Sequence, residues 1–306
     1  MKGQILKILR KENEVVSGEM LSSELGITRV SIWKHIRRLR ESGYDIIGTP
    51  KGYRLINSPD IPFSWEFPER ESQIHYFSEV TSTMDVAKDL ARKGCPDFTV
   101  VVAGRQKKGR GRLKRIWFSS EGGLYFTIVL RPKISPVVSF KINFSASLVL
   151  AQILRNMFGI KAMVKWPNDI LVDGKKISGM LSEMEAEADM ITFLNIGLGI
   201  NVNNDPTSEE PMAASLKKVL GREISKKEIL ARYLEEFEKW LNNVSLDNVI
   251  SEWKQYTLTL NRHVKIVANH EVSEGFAIDV DENGALVLRL EDGSTKRVIY
   301  GDCFHT

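Results

Sequence analysis

Apolar residues recur at helical spacing in the first 56 positions of the chain and then give way to two short alternating runs. The apolar stripe in residues 5–9 predicts a first helix, and Ser17 is placed to cap a second helix that ends at Gly26. Thr28 is the N-cap candidate of a third helix, which is basic, and two short strands are predicted between residues 44 and 56. This order predicts a winged helix-turn-helix.

The pattern changes after this segment. Residues 58–72 are polar and contain three prolines, which is typical of a semi-rigid linker. Beyond residue 73, strands are predicted at 98–103, 123–130, 170–172, 177–185 and 191–196, and helices at 138–158, 225–241 and 249–256. The order of these elements predicts an α+β domain at 73–259, a mixed sheet flanked by helices.

The last part of the chain predicts a separate small domain. Short strands are expected at 263–267, 275–280, 285–290 and 296–300, with hairpin turns at Asn283-Gly284 and Asp292-Gly293. We therefore predict a small β-barrel at 260–306, and four segments in all: a winged helix at 1–57, a linker at 58–72, a central domain at 73–259 and the barrel.

Composition places the chain in a broad class. Its 306 residues are 42% hydrophobic and 27% charged, and we expect no stretch to reach the roughly 18 apolar residues of a membrane span. The first residues lack the features of a signal peptide, so we expect a cytoplasmic protein without a membrane partner. Cys95 and Cys303 provide neither a disulfide framework nor metal-ligand spacing, and no protein metal site is expected.

Charge is distributed unevenly along the chain. The formal net charge is +4, but residues 1–56 hold 11 Lys or Arg and 6 Asp or Glu, so this segment alone carries +5. The asymmetry favours DNA binding over the alternatives of a protein-interaction module or an ordinary solvated face. Candidate DNA contacts lie on the third helix and in the wing: Arg29, Ser31, Trp33, Lys34, Arg37, Arg38 and Lys51.

A glycine- and arginine-rich segment in the central domain, GRGRLKRIW at 109–117, predicts a nucleotide-binding loop. Its glycines allow close approach, and Arg110, Arg112 and Arg115 offer permanently charged planar donors for phosphate or carboxylate. Such segments also bind RNA or are merely disordered, so the loop alone does not decide the function.

Two further stretches carry unusual residues. In KWPNDILVDGKKISG at 165–179, the pair Asn168-Asp169 opens an apolar strand, and Lys176 begins the next strand near Gly179. In NIGLGINVN at 195–203, Gly197 and Gly199 alternate inside a strand, which marks the close approach of a ligand or of another part of the chain. Solvent exposure of the lysine and helix packing on the glycines are the plainer interpretations.

Taken together, these motifs resemble the biotin protein ligases. With the N-terminal winged helix, the chain is similar to the bifunctional biotin protein ligase and biotin operon repressor type. The resemblance rests on Gly-Arg-Gly-Arg with Arg-x-Trp, Lys-Trp-Pro-Asn-Asp, Lys-x-x-Gly and Gly-x-Gly-x-Asn as they stand in this sequence. It implies a winged helix, a central α/β catalytic domain of the biotin/lipoate ligase type and a C-terminal SH3-like β-barrel.

The resemblance also implies residue roles. The implied biotin-binding residues are Ser82, Thr83, Gln106, Gly109, Arg110, Lys176, Gly179, Gly197 and Gly199. The nucleotide side would be formed by Arg112, Arg115, Trp117, Lys165, Asn168 and Asn201, and the catalytic charges by Lys176, Arg110, Arg112 and Arg115. Two positions depart from the family pattern: Met84 stands where Asn is usual, and Lys114 stands where Gly is frequent. We expect these to alter loop stiffness and not the chemistry.

The implied reaction uses biotin, ATP and Mg²⁺ and forms biotinyl-5′-AMP. Biotin is then transferred to a lysine of a biotin carboxyl carrier protein, such as that of acetyl-CoA carboxylase. The other implied partners are operator DNA and, when the adenylate is bound, a second copy of the chain. The alternatives are a lipoate protein ligase and a ligand-sensing transcription factor without catalysis. Lys176 and the three loop arginines favour the enzyme over a mere sensor.

Overall fold

The computed structural model of the protein describes residues 1–243, 246, 248–268 and 271–305. These residues form two compact units, Met1–Ile74 and His75–Thr306. Each unit has its own architecture, and the functional side chains predicted from the sequence are divided between them.

The first unit contains three helices followed by a β-hairpin. These elements are α1 (Lys2–Glu12), α2 (Gly18–Leu25), α3 (Arg29–Glu41), β1 (Asp45–Thr49) and β2 (Gly52–Asn57). Ser17 and Thr28 act as the predicted N-caps, since their side-chain oxygens accept the backbone N–H groups of Met20 and Ser31. The buried core includes Leu6, Leu21, Ile32, Ile36 and Leu39. The architecture is the predicted winged helix-turn-helix.

Residues 58–72 lie within this first unit and pack against its helices. They form two 3₁₀ turns, Ser64–Glu66 and Pro68–Arg70. Phe63 and Trp65 pack against the helical core, and the Trp65 indole donates a hydrogen bond of 3.0 Å to the Tyr44 hydroxyl. The proline spacing suggested a linker, but the aromatic side chains between the prolines bury apolar surface against the helices.

The second unit is built on a seven-stranded sheet. Its strands are β3 (Ile74–Val80), β4 (Thr99–Gln106), β5 (Leu124–Leu130), β6 (Met163–Lys165), β7 (Asp169–Val172), β8 (Lys175–Glu187) and β9 (Met190–Ile200). The spatial order is β3-β4-β5-β9-β8-β7-β6, and the pairings from β4 to β6 are antiparallel. Helix α4 (Thr83–Arg92) packs on one face through Ala87 and Ala91, whereas Phe126 points to the other face.

The opposite face is covered by further helices. They are α5 (Phe140–Phe158), α7 (Lys226–Asn243) and α8 (Val249–Tyr256), and a short helix, α6 (Leu216–Leu220), precedes α7 in the chain. The α7 residue Tyr233 packs edge-on against Phe126 and donates a hydrogen bond to the α5 carbonyl of Ala146. Residues 136–158 are long and apolar enough to cross a membrane, so the expectation that no segment reached this length was wrong. Most of this stretch is buried, as in the core helix of a globular domain.

A five-stranded sheet completes the second unit. Its strands are β10 (Arg262–Ala268), β11 (Glu271–Val280), β12 (Leu286–Arg289), β13 (Thr295–Val298) and β14 (Asp302–His305), in the order β13-β12-β11-β10-β14. The four predicted strands are present, and β14 is an additional one. Trp166 joins the two sheets, because its buried indole donates a 3.0 Å hydrogen bond to the carbonyl of Gly284 in a β-hairpin turn.

Candidate active site

A cavity in the second unit lies between strands β8 and β9, the start of α4 and the arginine loop, which we define as residues 107–118. Most of the predicted substrate residues line it: Ser82, Thr83, Gln106, Arg110, Arg112, Arg115, Trp117, Asn168, Lys176, Gly179, Gly197, Gly199 and Asn201. Residues between positions 82 and 201 of the sequence therefore meet in one cavity.

The floor of the cavity consists of glycines on two paired strands. Gly179 on β8 lies opposite Gly199 on β9. A Cβ atom at Gly199 would lie 2.3 Å from Nε1 of Trp117, and one at Gly179 would lie 2.9 Å from the same ring. The close approach predicted from the glycine spacing is present, and Trp117 of the arginine loop makes it. The indole Nε1–H of Trp117 is buried and has no hydrogen-bond partner among the described residues.

One end of the cavity carries a preorganised polar network. The Gln106 carboxamide oxygen accepts hydrogen bonds from the backbone N–H (2.7 Å) and the hydroxyl (3.1 Å) of Thr83, and its NH₂ group donates to Ser119. Thr127 donates to the Thr83 hydroxyl at 2.9 Å. Ser82 caps α4 by accepting the N–H of Met84. These groups offer donors and acceptors in fixed positions to a neutral polar ligand.

The arginine loop folds back on itself as a narrow hairpin. The N–H of Trp117 donates to the carbonyl of Gly109, and the N–H of Gly111 donates to the carbonyl of Arg115. Its tip turns through Leu113 (φ 51°) and Lys114 (φ 60°), both in the left-handed region. A side chain in this region costs roughly 1–2 kcal/mol relative to glycine. Lys114 therefore stands at a position where glycine would fit without strain.

Each arginine of the loop has a partner within the unit. Arg110 binds Asp85 at 2.8 Å and also Glu183, and Arg115 binds Asp302 at 2.5 Å. Arg112 donates to the carbonyl of Gly301 at 3.0 Å.

Burial lowers the pKa of Arg112, against the opposing effects of Asp302 and Asp169. Such a desolvated guanidinium favours a compact anion that can replace the lost water.

Lys176 is fixed by both its side chain and its backbone. Its ammonium group lies 2.8 Å from the carboxylate of Asp169 and 5.4 Å from the centre of the Trp117 ring. Its N–H and C=O bond to Met212 and Ala214, which belong to a segment with no recognisable motif. Lysine at this position is held toward the cavity and not left to solvent.

Two of the predicted substrate residues lie outside the cavity lining. Gly109 forms the base of the arginine loop, where a Cβ atom would lie 2.2 Å from the Trp117 carbonyl. Lys165 ends β6, with its ammonium group 5.7 Å from the centre of the Phe304 ring. Conversely, the sequence analysis missed Asp302, Pro206, Glu210 and Ala213, which do line the cavity. Asp302 can be identified only from the structure, because it is its ion pair with Arg115 that connects it to the cavity.

The predicted DNA contacts lie on α3 and in the wing of the first unit. Arg29, Trp33 and Lys51 line a cleft between α3 and the β1–β2 turn, together with Val30 and Tyr53. Lys34, Arg37 and Arg38 are exposed on α3, whereas Ser31 is half-buried. The sequence analysis did not select Val30.

Comparisons with known proteins match three parts of the chain to family models and most of its length to curated relatives. Residues 2–54 match the HTH domain, residues 76–203 the biotin/lipoate A/B protein ligase family and residues 259–306 the biotin protein ligase C terminal domain. The bifunctional ligase/repressor BirA of Bacillus subtilis is 33% identical, over 93% of this chain and 92% of the relative. BirA of Escherichia coli K12 is 27% identical over 96% and 94% of the two chains.

Solved structures of biotin protein ligases resemble this chain as well. The biotin protein ligase from Aquifex aeolicus in complex with biotin and ATP has a TM-score of 0.64 and 29% identity, covering 76% of this chain and 98% of that one. Fold and cavity thus define a ligase of the biotin/lipoate type that carries a helix-turn-helix domain. The chain belongs to the family of the bifunctional ligase/repressor BirA. The predicted fold class and family are confirmed.

Proposed function

We propose that this protein is an ATP-dependent biotin protein ligase and a biotin-responsive transcriptional repressor. The observation that carries the proposal is the convergence of Lys176 and three loop arginines on one glycine-floored cavity, in a chain that also has a basic helix-turn-helix unit. Such a cavity suits two ligands in line, one polar and nearly neutral, the other anionic.

Biotin occupies the end near α4. Ser82, Thr83 and Gln106 supply the fixed donors and acceptors that its ureido ring requires. Its bicyclic ring lies along Gly179, Gly197 and Gly199, and Arg110 covers it from the arginine loop, with Gly109 at the base of that loop. For this the Trp117 indole shifts along the floor, since it lies against Gly199 in the present structure.

The nucleotide occupies the other end. Arg112 and Arg115 face its phosphates, and Trp117, Lys165, Asn168 and Asn201 form the remaining contacts. Among the described residues, no group of three His, Cys, Asp or Glu side chains could hold a metal ion. Mg²⁺ fits as part of the nucleotide substrate, because it binds phosphates and water with only one or two protein carboxylates, here Asp169.

The reaction has two steps. A carboxylate oxygen of biotin bonds to the α-phosphorus of ATP, and the bond from that phosphorus to pyrophosphate breaks. Lys176, Arg110, Arg112 and Arg115 position the reactants and neutralise developing charge. A lysine amine of the carrier protein then attacks the acyl carbon, and AMP leaves. The amine must first lose its proton, for which Asp169 is the candidate acceptor.

The acceptor is a biotin carboxyl carrier protein of a biotin-dependent carboxylase, and the reaction takes place in the cytoplasm without a membrane partner. With the adenylate bound, two copies pair and place two α3 helices on a two-fold operator. The candidate DNA contacts are Arg29, Ser31, Trp33, Lys34, Arg37, Arg38 and Lys51.

Pyrophosphate release tests the enzyme assignment. The full chain is incubated with ATP and either biotin or lipoate. We expect release with biotin alone. Release with lipoate would identify a lipoate ligase, and release with neither would indicate a ligand sensor without catalysis.

A further inference from the structure

Two apolar side chains are exposed on the same face of α3. Val30 is 63% and Trp33 is 49% exposed, whereas Ile32, Ile36 and Leu39 of the same helix are buried. Positions 30 and 33 are neighbours on a helix surface, and both side chains line the cleft beside the wing. They form an apolar patch on an otherwise basic helix.

Folding does not explain a valine at position 30. A β-branched residue is a poorer helix former than alanine, and this one lies in the first turn of α3 without a core to pack against. Val16 of the same unit shows the usual placement, with an exposed fraction of 2%. Val15 is also exposed, but of these two valines Val30 is the one in the cleft beside the wing, and this place on α3 points to a contact with a partner.

We propose that Val30 recognises the 5-methyl group of a thymine in the major groove of the operator. This inference rests on the proposed repressor function and adds a base preference to it. The N-terminal residues of a recognition helix approach the base edges, and Val30 is the second residue of α3.

The chemistry of the side chain selects the base. Valine has no donor or acceptor, so against an amino group or a carbonyl it would leave a desolvated polar group unpartnered. The thymine methyl is the apolar group that the major groove presents. The adjacent Arg29 and the nearby Lys34 supply charge for the phosphates on either side.

The experiment begins by selecting the operator from a randomised duplex library with the full chain, biotin and ATP. Each thymine of the selected site is then replaced by uracil, which removes only the methyl group. We expect one position in each half-site at which this lowers affinity about fourfold, the factor for one buried methyl group.

Val30→Ala must abolish the uracil penalty at that position while binding to DNA is retained. Val15→Ala is the matched control, since Val15 is an exposed valine outside the cleft, and this variant must keep the penalty. Equal penalties in the chain and in Val30→Ala would overturn the inference and leave the repressor function standing. Failure of the full chain to select any DNA would overturn both.

Discussion

Arginines serve two regions of this molecule in contrasting ways. On α3, Arg37 forms an ion pair with Glu41 at 3.2 Å, and Arg29 and Arg38 have no carboxylate partner among the residues described. In the arginine loop, Arg110, Arg112 and Arg115 all bind protein groups. The exposed arginines of α3 suit a long polyanion. Those of the arginine loop are held by protein groups and must exchange these partners when a small anion binds.

This difference determines how each region responds to perturbation. Exposed cations gain affinity from the release of counterions, so their effect weakens with added salt. Arg110 and Arg115 are also partly exposed, but each is already paired with a carboxylate of the protein, so a ligand in the cavity acts on them over short distances by exchanging partners. Mutations in the arginine loop should therefore change specific chemical steps, and mutations on α3 should change the salt dependence of DNA binding.

The largest effect on activity is expected at Lys176, which lines the cavity. Lys176→Ala should lower adenylate synthesis ten- to 100-fold or more, because a charge-assisted hydrogen bond contributes roughly 1.5–3 kcal/mol. The measurement is biotin-dependent pyrophosphate release. Lys175→Ala, at the exposed neighbouring position, is the control and should retain activity. An unchanged rate in Lys176→Ala would remove this lysine from the mechanism.

Arg110→Gly should change the fate of the adenylate. Arg110 joins the loop to Asp85 and Glu183, and its loss opens the loop over the product of the first step. Biotinyl-5′-AMP should escape and label lysines of a bystander protein, which a streptavidin blot detects. Arg105→Gly, which removes an exposed arginine bound to Glu79, is the control. Strict specificity for the acceptor in the Arg110 variant would contradict the clamping role.

On α3 we expect a smaller and graded effect. Lys34→Ala should reduce the slope of log affinity against log salt by about one, because one fewer phosphate is neutralised. Lys7→Ala, at an exposed position of α1, should leave the slope unchanged. Operator titrations at several salt concentrations measure both. Identical slopes for Lys34→Ala and the full chain would show that α3 does not lie along the phosphates.

The smallest effect is expected at Asp302. This carboxylate forms an ion pair with Arg115. Asp302→Asn should therefore free the guanidinium for the nucleotide and lower the KM for ATP about two- to fivefold. The magnitude follows from the worth of a partly exposed ion pair, about 1 kcal/mol at most. A raised KM would mean that Asp302 positions Arg115 and does not compete for it.

Local motifs could be predicted from the sequence because their residues are adjacent in the chain. The loop at 109–117, the glycine alternation at 197 and 199, and the caps at Ser17 and Thr28 all lie where expected. Long-range partners could not be predicted. Asp302 meets Arg115 only after the C-terminal strands fold against the sheet, and nothing in its neighbourhood marks it.

Hydropathy alone cannot assign a segment whose structure depends on the elements packed around it. A buried helix such as 136–158 and a membrane span share the same apolar composition, and the surrounding α7 and α8 distinguish them. The prolines of 58–72 likewise suggested a linker, although Phe63 and Trp65 anchor this segment to the first unit. The roles assigned to the site residues all stay predictions, and those of Gly109 and Lys165 have the least support, since neither lines the cavity.

The central claim is that one ligand, the adenylate bound in the cavity, controls the affinity of α3 for DNA. An operator titration of the full chain tests it most directly. The selected duplex is titrated with protein alone, with biotin and ATP, and with biotin, ATP and an excess of acceptor protein. We expect the adenylate to strengthen binding about tenfold or more, within the usual range of coupling between sites, and the acceptor to reverse this by consuming it. Affinity that is the same under all three conditions would contradict a biotin-responsive repressor.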